Sequence, residues 1–128
     1  MSDREEQKFT TRFCGMRVLV VEHSWHVARA MKSLLENLGM AVPGMAGTLE
    51  DAEPLIAEQV FDLALVDIDL KDGAAMKLME RLDRCGVRVI ALSSYPVVRA
   101  SVSKAAAILQ KPLGRRELLG ALTKICSW

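Results

Sequence analysis

Apolar runs of strand length alternate along this chain with segments whose apolar residues recur at helical spacing. Four strand-like runs are evident. One further short strand, the second in chain order, is predicted in the MAVPGMAG segment. The strand-like positions are 18–21, 40–47, 63–66, 87–92 and 106–109. The first helical segment has apolar residues three and four positions apart, at Val27, Ala30, Met31, Leu34, Leu35 and Leu38. Five strand–helix units predict a parallel sheet with helices on both faces.

Capping residues predict where the first two helices begin and end. Ser24 precedes the first helical segment as an N-cap, and Gly39 follows its last apolar residue. Thr48 marks the start of a second helix, but Pro54 suggests that its first turn is irregular or that the helix begins later. The second strand carries Pro43, which favours a place at the edge of the sheet.

Polar side chains follow four of the predicted strands at the point where each strand ends. They are Glu22 and His23 after the first strand, Asp67 after the third, Ser93 and Ser94 after the fourth, and Lys111 after the fifth. In an open parallel sheet, functional groups gather in the crevice at the carboxyl ends of the strands. We therefore expect these side chains to converge on one site.

These residues and their separations resemble the receiver domain of bacterial two-component response regulators. The resemblance rests on VLVVE, DLALVDIDLKDG around Asp67, VIALSS and LQKPL, and it extends from about Met16 to Ile125. It implies an α/β fold, a doubly wound (βα)5 sheet of five parallel strands in the flavodoxin-like order 2-1-3-4-5. The domain would then span residues 16–128, preceded by a flexible N-terminal arm at residues 1–15.

The resemblance implies a phosphoryl switch in two-component signal transduction. Asp67 would accept the phosphoryl group from a sensor histidine kinase or a histidine phosphotransfer protein, and Ser93 and Lys111 would bind the phosphoryl oxygens. Mg2+ or Mn2+ would be held by Glu22, Asp67 and the backbone carbonyl of Asp69. Such a domain signals by protein–protein interaction. Its chemistry would be limited to self-catalysed phosphoryl transfer and aspartyl-phosphate hydrolysis, so it is not a conventional enzyme.

His23 departs from the family pattern, because that position is usually an aspartate that binds magnesium. Imidazole suits transition metals better than magnesium, which prefers oxygen ligands. Three interpretations stay open. Magnesium binds weakly through fewer protein ligands, protonated His23 partly replaces the cation, or the domain works by binding alone without phosphorylation. A transition-metal site formed by His23, Glu22 and Asp67 is a more remote alternative.

Two further departures concern how the signal leaves the site. Between Ser93 and Lys111 there are only 17 residues, which limits the fourth helix, near Val97 to Lys104, to about two turns. Ile108 stands where many receivers carry a switching aromatic residue, so Tyr95 is the alternative moving group. The segment ALSSY and the short fourth helix look similar to a stand-alone subgroup of receivers from alphaproteobacteria.

Composition narrows the class of partner. The charges of the seventeen basic and sixteen acidic residues nearly cancel. The chain therefore has no large net charge that would indicate binding to nucleic acid or to a membrane surface. No apolar run approaches the roughly 20 residues that span a bilayer, and the N-terminus lacks the apolar core of a signal peptide. The three cysteines are odd in number and far apart, which favours free thiols in a reducing compartment. We therefore expect a cytoplasmic protein with an unknown downstream protein partner, and homodimer formation stays open.

Two other classes of site on the same sheet have weaker support. A small-molecule site of the flavodoxin-like type predicts a phosphate-binding loop after the first strand, and EHSWHV does not have that composition. A hydrolase could use Ser93, His23 and Asp67 as a triad. However, no G-x-S-x-G turn surrounds Ser93.

Overall fold

Five parallel strands form a single sheet in the computed structural model, which describes residues 13–70, 73–96 and 104–125. The strands are β1 (Arg17–Val21), β2 (Ala41–Ala46), β3 (Leu63–Asp67), β4 (Arg88–Ser93) and β5 (Ala107–Gln110). Their order is β2-β1-β3-β4-β5, and every neighbouring pair is parallel. This order confirms the predicted 2-1-3-4-5 sheet and places the second strand at an edge.

Four helices lie in the described part of the chain. They are α1 (Trp25–Asn37), α2 (Leu49–Glu58), α3 (Ala74–Arg84) and α4 (Arg115–Ile125). The short helix predicted near Val97 to Lys104 falls almost entirely outside the described residues, so it stays a prediction. Among the described residues, no helix combines the length and apolarity needed to cross a membrane.

Side-chain caps start α1 and α2 as the sequence predicts. The Ser24 hydroxyl accepts a hydrogen bond from the Val27 N–H at 3.4 Å, and the Thr48 hydroxyl accepts one from Asp51 at 3.1 Å. The expected irregular or late start of α2 was wrong, because the helix begins at Leu49 and includes Pro54. Proline removes one helical hydrogen bond, and the Thr48 cap together with burial of the inner face of the helix offsets that loss.

The sheet has an apolar layer on each face, as a doubly wound fold requires. On β1, Leu19 and Val21 pack against α2 and α3, while Val18 and Val20 face α1 and α4. The central strand β3 is buried along its whole length. Strands covered on both faces need apolar residues without alternation, which explains the continuous apolar runs in the sequence.

The chain packs onto the domain earlier than residue 16. Phe13 is 1% exposed and lies in the apolar layer with α1 and α4, and the Gly15 N–H donates to the Gly39 carbonyl at 2.8 Å. Residues 1–12 lie outside the described part of the chain. A flexible arm therefore stays a prediction for those positions, whereas Phe13 belongs to the core.

Candidate functional site

Three buried polar side chains lie at the carboxyl ends of the central strands. Glu22, Asp67 and Ser93 are 2%, 0% and 1% exposed, and they follow or end β1, β3 and β4. The parallel register brings these strand ends to one edge, where Asp67 pairs with Leu92, the neighbour of Ser93. Burial of two carboxylates is costly unless they are paired and hydrogen-bonded, so their partners define the site.

Lys111 lies against both carboxylates. Its Nζ is 3.1 Å from Glu22 Oε2 and 3.3 Å from Asp67 Oδ1, and its side chain is 11% exposed. The backbone holds the residue in place, since the Lys111 N–H donates to the Ser93 carbonyl at 2.7 Å. The following bond, Lys111–Pro112, is a cis peptide. The predicted convergence of Glu22, Asp67 and Lys111 is therefore present in the structure.

His23 contacts the opposite oxygens of the same two carboxylates. Its Nδ1 is 2.5 Å from Asp67 Oδ2 and 3.2 Å from Glu22 Oε1. The His23 side chain is 58% exposed, so the imidazole covers the site from the solvent side. Each carboxylate thus has one oxygen facing Lys111 and one facing His23.

Backbone amides complete the hydrogen bonding of the two carboxylates. The Ser24 N–H donates to Glu22 Oε1 at 3.1 Å, so Glu22 also accepts a backbone amide at the start of α1. The Asp69 N–H donates to Asp67 Oδ1 at 2.9 Å. Within the part of the chain that the structure describes, every buried side-chain nitrogen or oxygen has a hydrogen-bond partner.

The environment pushes the pKa values of the two carboxyl groups apart. Burial disfavours ionisation of Asp67, but the Asp69 amide, His23 and Lys111 outweigh it and leave the pKa of Asp67 lowered. For Glu22, burial dominates, and its pKa is raised despite the Ser24 amide and Lys111. Burial opposes the charge on Lys111 too, yet Glu22 and Asp67 raise its pKa. Asp67 is therefore an ionised carboxylate beside an ammonium group, a form suited to nucleophilic attack.

These shifts give opposite contributions to stability as pH changes. The pKa of Asp67 lies below its ordinary 3.8. The contribution of Asp67 to the free energy of unfolding is therefore fully present above pH 3.8 and is lost as pH falls through the lowered value. The pKa of Glu22 lies above its ordinary 4.5, so its contribution is present below pH 4.5 and is lost as pH rises through the raised value.

Denaturant unfolding of metal-free protein from about pH 3 to 7 measures both contributions. The difference in unfolding free energy between wild type and Asp67→Asn should shrink as pH falls below 3.8. The corresponding difference for Glu22→Gln should shrink as pH rises above 4.5. Parallel pH curves for wild type and Asp67→Asn would contradict the assignment of the lowered pKa to Asp67.

Hydrogen bonds connect the loop after β4 to the site. The Ser93 hydroxyl accepts from the Tyr95 N–H at 3.0 Å, and the Ser94 N–H donates to the Asp69 carboxylate at 3.3 Å. Only the backbone carbonyl of Asp69 was predicted to take part in the site, as a metal ligand. The contact of its side chain with Ser94 was not predicted. A polar residue two positions after Asp67 was the available signal. The metal-binding role of the carbonyl stays a prediction.

The two residues considered for signal output have different environments. Tyr95 is 70% exposed, whereas Ile108 on β5 is partly buried against the apolar layer with α2 and α3. The side chain of Tyr95 is therefore accessible beside the buried Ser93 hydroxyl. Its role as the moving group stays a prediction.

Two open clefts give access to the site on either side of His23. One, of about 740 Å³, is lined by His23, Gly47, Thr48 and Asp69 among others. The other, of about 690 Å³, lies between α1 and the segment that follows β5, with Lys111 in its lining. His23 lines both clefts, whereas Glu22 lines only the second.

Three residues of the site could hold a cation. Glu22, His23 and Asp67 each offer one ligand atom, and these atoms lie within 4.8 Å of one another. The set combines two carboxylate oxygens with one imidazole nitrogen. Oxygen atoms suit magnesium, whereas the nitrogen suits transition metals.

Sequence comparison identifies a family for most of the chain. Residues 18–123 match the family model described as "Response regulator receiver domain". No curated protein sequence matches the chain.

Solved structures show the same architecture. A CheY-like receiver domain protein from Methanospirillum hungatei JF-1 is 28% identical, with 87% of this chain and 93% of that chain covered and a TM-score of 0.75. The receiver domain of the response regulator PhyR from Erythrobacter litoralis is 23% identical, with 90% and 92% covered and a TM-score of 0.77. The CheX–CheY–BeF3–Mg2+ complex from Borrelia burgdorferi contains a chain 19% identical, with 92% and 94% covered and a TM-score of 0.77. The last two establish likeness of fold alone.

Proposed function

The chain belongs to the response regulator receiver domain family, and from this premise we propose that it accepts a phosphoryl group on Asp67. The donor would be a sensor histidine kinase or a histidine phosphotransfer protein. The observation that carries the proposal is the buried Asp67 carboxyl group at the carboxyl end of β3, 3.3 Å from Lys111 Nζ. This arrangement combines a nucleophile with a fixed positive charge.

In the proposed transfer, a carboxylate oxygen of Asp67 attacks the phosphorus of a phosphohistidine. The phosphorus–nitrogen bond breaks, and the imidazole of the donor leaves. Negative charge is spread over the equatorial phosphoryl oxygens during this step, so positioned donors and cations lower the barrier more than a base does. Lys111 would stabilise that charge. The Ser93 hydroxyl, which accepts from the Tyr95 N–H, would donate its own proton to a phosphoryl oxygen.

Receiver domains bind Mg2+ at acidic residues, and the carboxylates of this chain fit that use. Glu22, Asp67 and the backbone carbonyl of Asp69 would hold Mg2+ or Mn2+. The ion would supply positive charge to the phosphoryl oxygens. His23 does not fit magnesium, because it offers an imidazole nitrogen beside the carboxylates where Mg2+ prefers oxygen ligands. We therefore propose weak magnesium binding.

One observation favours a second candidate function, a receiver that signals by binding alone. The 2.5 Å contact between His23 Nδ1 and Asp67 Oδ2 engages the proposed phosphoacceptor with an internal partner. A donor must displace this contact before Asp67 can react. If His23 prevents the transfer, the same surface would act through protein contacts that do not depend on phosphate.

Receiver domains interact with kinases, phosphotransfer proteins and other regulators, and the Borrelia burgdorferi structure records CheY with CheX. We propose that this chain likewise signals to a downstream protein, with phosphoryl binding at Ser93 coupled to movement of the loop that carries Tyr95. The resemblance of ALSSY to stand-alone receivers supports membership of that subgroup. In this role the domain is a messenger, not a conventional enzyme.

The proposed function is tested by intact-protein mass after incubation with acetyl phosphate across a Mg2+ and Mn2+ titration. Wild type should gain one phosphoryl group, and His23→Asp should gain it at a lower metal concentration because the substituted carboxylate adds an oxygen ligand. Modification of His23→Asp without modification of wild type would favour the binding module. Absence of modification in both proteins would contradict phosphoacceptor chemistry with this donor.

A further inference from the structure

On the side of the carboxylates that faces His23 and not Lys111, the site provides an imidazole nitrogen as well as carboxylate oxygens as ligands. We propose that Glu22, His23 and Asp67 form a site for a first-row transition-metal ion, with His23 Nδ1 as a ligand, and that this ion is preferred over Mg2+. The proposal deepens the proposed function, because it concerns the ion used at the same site. Receiver domains bind Mg2+ at acidic residues, which independently supports a cation at this edge of the sheet.

The carboxylate oxygens are divided between two cationic or hydrogen-bonding partners. Lys111 Nζ lies against Glu22 Oε2 and Asp67 Oδ1, whereas His23 Nδ1 lies against Glu22 Oε1 and Asp67 Oδ2. An ion bound between His23 Nδ1 and the carboxylate oxygens nearest to it can therefore leave Lys111 in place. The three ligand atoms already lie within 4.8 Å of one another.

The distances require only a small adjustment of the ring. Two ligands of a tetrahedral ion with bonds of about 2.1 Å lie roughly 3.4 Å apart. The 3.2 Å distance from Nδ1 to Glu22 Oε1 is close to that value, and the 2.5 Å distance to Asp67 Oδ2 must lengthen by about 0.9 Å. His23 is 58% exposed and lies in the loop between β1 and α1, so its ring has room to withdraw.

Ligand chemistry then decides which ion is preferred. Magnesium requires near-octahedral oxygen ligation and gains little from imidazole. Divalent ions from cobalt to zinc bind imidazole well, and their affinity for a nitrogen–oxygen site exceeds that of magnesium. Two buried carboxylates and one accessible imidazole match a three-ligand site that keeps a position open for water or a phosphoryl oxygen.

Direct metal binding tests the proposal without a phosphoryl donor. Metal-free wild type is titrated with Co2+ near neutral pH, with visible absorption and calorimetry as readouts, and Zn2+ is used as a competitor. Mg2+ is titrated in parallel. The variants are His23→Asn and His23→Asp, and the control is His26→Asn, which removes the second histidine of the chain from an exposed position of α1.

We expect one Co2+ per chain, displaced by Zn2+, with an affinity at least tenfold higher than that for Mg2+. His23→Asn should weaken Co2+ at least tenfold, His23→Asp should improve Mg2+, and His26→Asn should change neither. Equal affinities for Co2+ and Mg2+, or Co2+ binding unchanged by His23→Asn, would overturn the proposal. Thermal unfolding of the metal-free variants verifies that each is folded. Phosphorylation by acetyl phosphate is scored separately, so either proposal can fail alone.

Discussion

Asp67→Asn is expected to abolish phosphoryl uptake from acetyl phosphate, whereas Asp69→Asn should retain it. An amide is not a nucleophile at phosphorus under these conditions, and the amide group of asparagine has nearly the size and shape of the carboxylate that it replaces. Asp69 lies two residues away, and its carboxylate contacts the Ser94 amide, so it is a matched control within the same loop. Intact-protein mass gives the number of phosphoryl groups, and acid–base lability identifies an acyl phosphate.

The Asp67→Asn result separates site-specific from incidental modification. Uptake that persists in Asp67→Asn, or that disappears equally in Asp69→Asn, would contradict Asp67 as the acceptor. Circular dichroism of both variants verifies the fold, because Asp67 is completely buried and accepts the Asp69 amide. An asparagine oxygen can accept that same hydrogen bond, so both variants should be folded.

Lys111→Met is expected to slow phosphoryl uptake about 10²- to 10³-fold, the usual loss when one donor to a developing negative charge is removed. The same change should destabilise the protein by about 1–3 kcal/mol, because two buried carboxylates lose a common cationic partner. Methionine keeps most of the length and apolar packing of the lysine side chain. Burst kinetics by mass and denaturant unfolding measure the two effects.

A second variant distinguishes the electrostatic effect of Lys111 from a packing effect. Adding Asp67→Asn to Lys111→Met should restore most of the lost stability, since only one buried carboxylate then remains, but it should not restore uptake. Lys104→Met is the control, because Lys104 is half exposed and pairs with Asp83 at 3.5 Å on the surface, where such pairs contribute little. Equal losses in the Lys104 and Lys111 variants would refute the central role of Lys111.

The transition-metal proposal and the proposed phosphorylation make different demands on His23. Phosphoryl transfer requires its Nδ1 to leave Asp67, whereas metal binding requires Nδ1 to stay near that carboxylate. An ion held by Glu22, His23 and Asp67 satisfies both demands, because the ring then withdraws from direct contact with Asp67 while Nδ1 stays within reach of the ion. The metal dependence of phosphorylation in wild type and His23→Asp thus links the two sets of measurements.

The pattern of apolar residues predicted the strands, most of the helices and a parallel sheet, while the strand order came from the resemblance to receiver domains. Continuous apolar runs such as Leu63–Val66 indicate strands buried on both faces, and i, i+3, i+4 spacing indicates helices that cover them. The sequence also identified Glu22, Asp67 and Lys111 as one site, because the carboxyl ends of parallel strands meet at one edge. These features depend on local periodicity and on topology, both of which can be read along the chain.

The arrangement of the site and the residue at which the core begins could not be predicted from the sequence, because both depend on contacts between distant residues. The sequence places His23 beside Glu22, but its contact with Asp67 Oδ2 depends on side-chain conformation across 44 positions. Burial of Phe13 depends on a long-range contact with α1 and α4 that leaves no periodic signal. The opposite pKa shifts of Glu22 and Asp67 likewise follow from the balance between burial and the donors that each carboxylate contacts. Such contacts form only when the folded chain brings distant residues together.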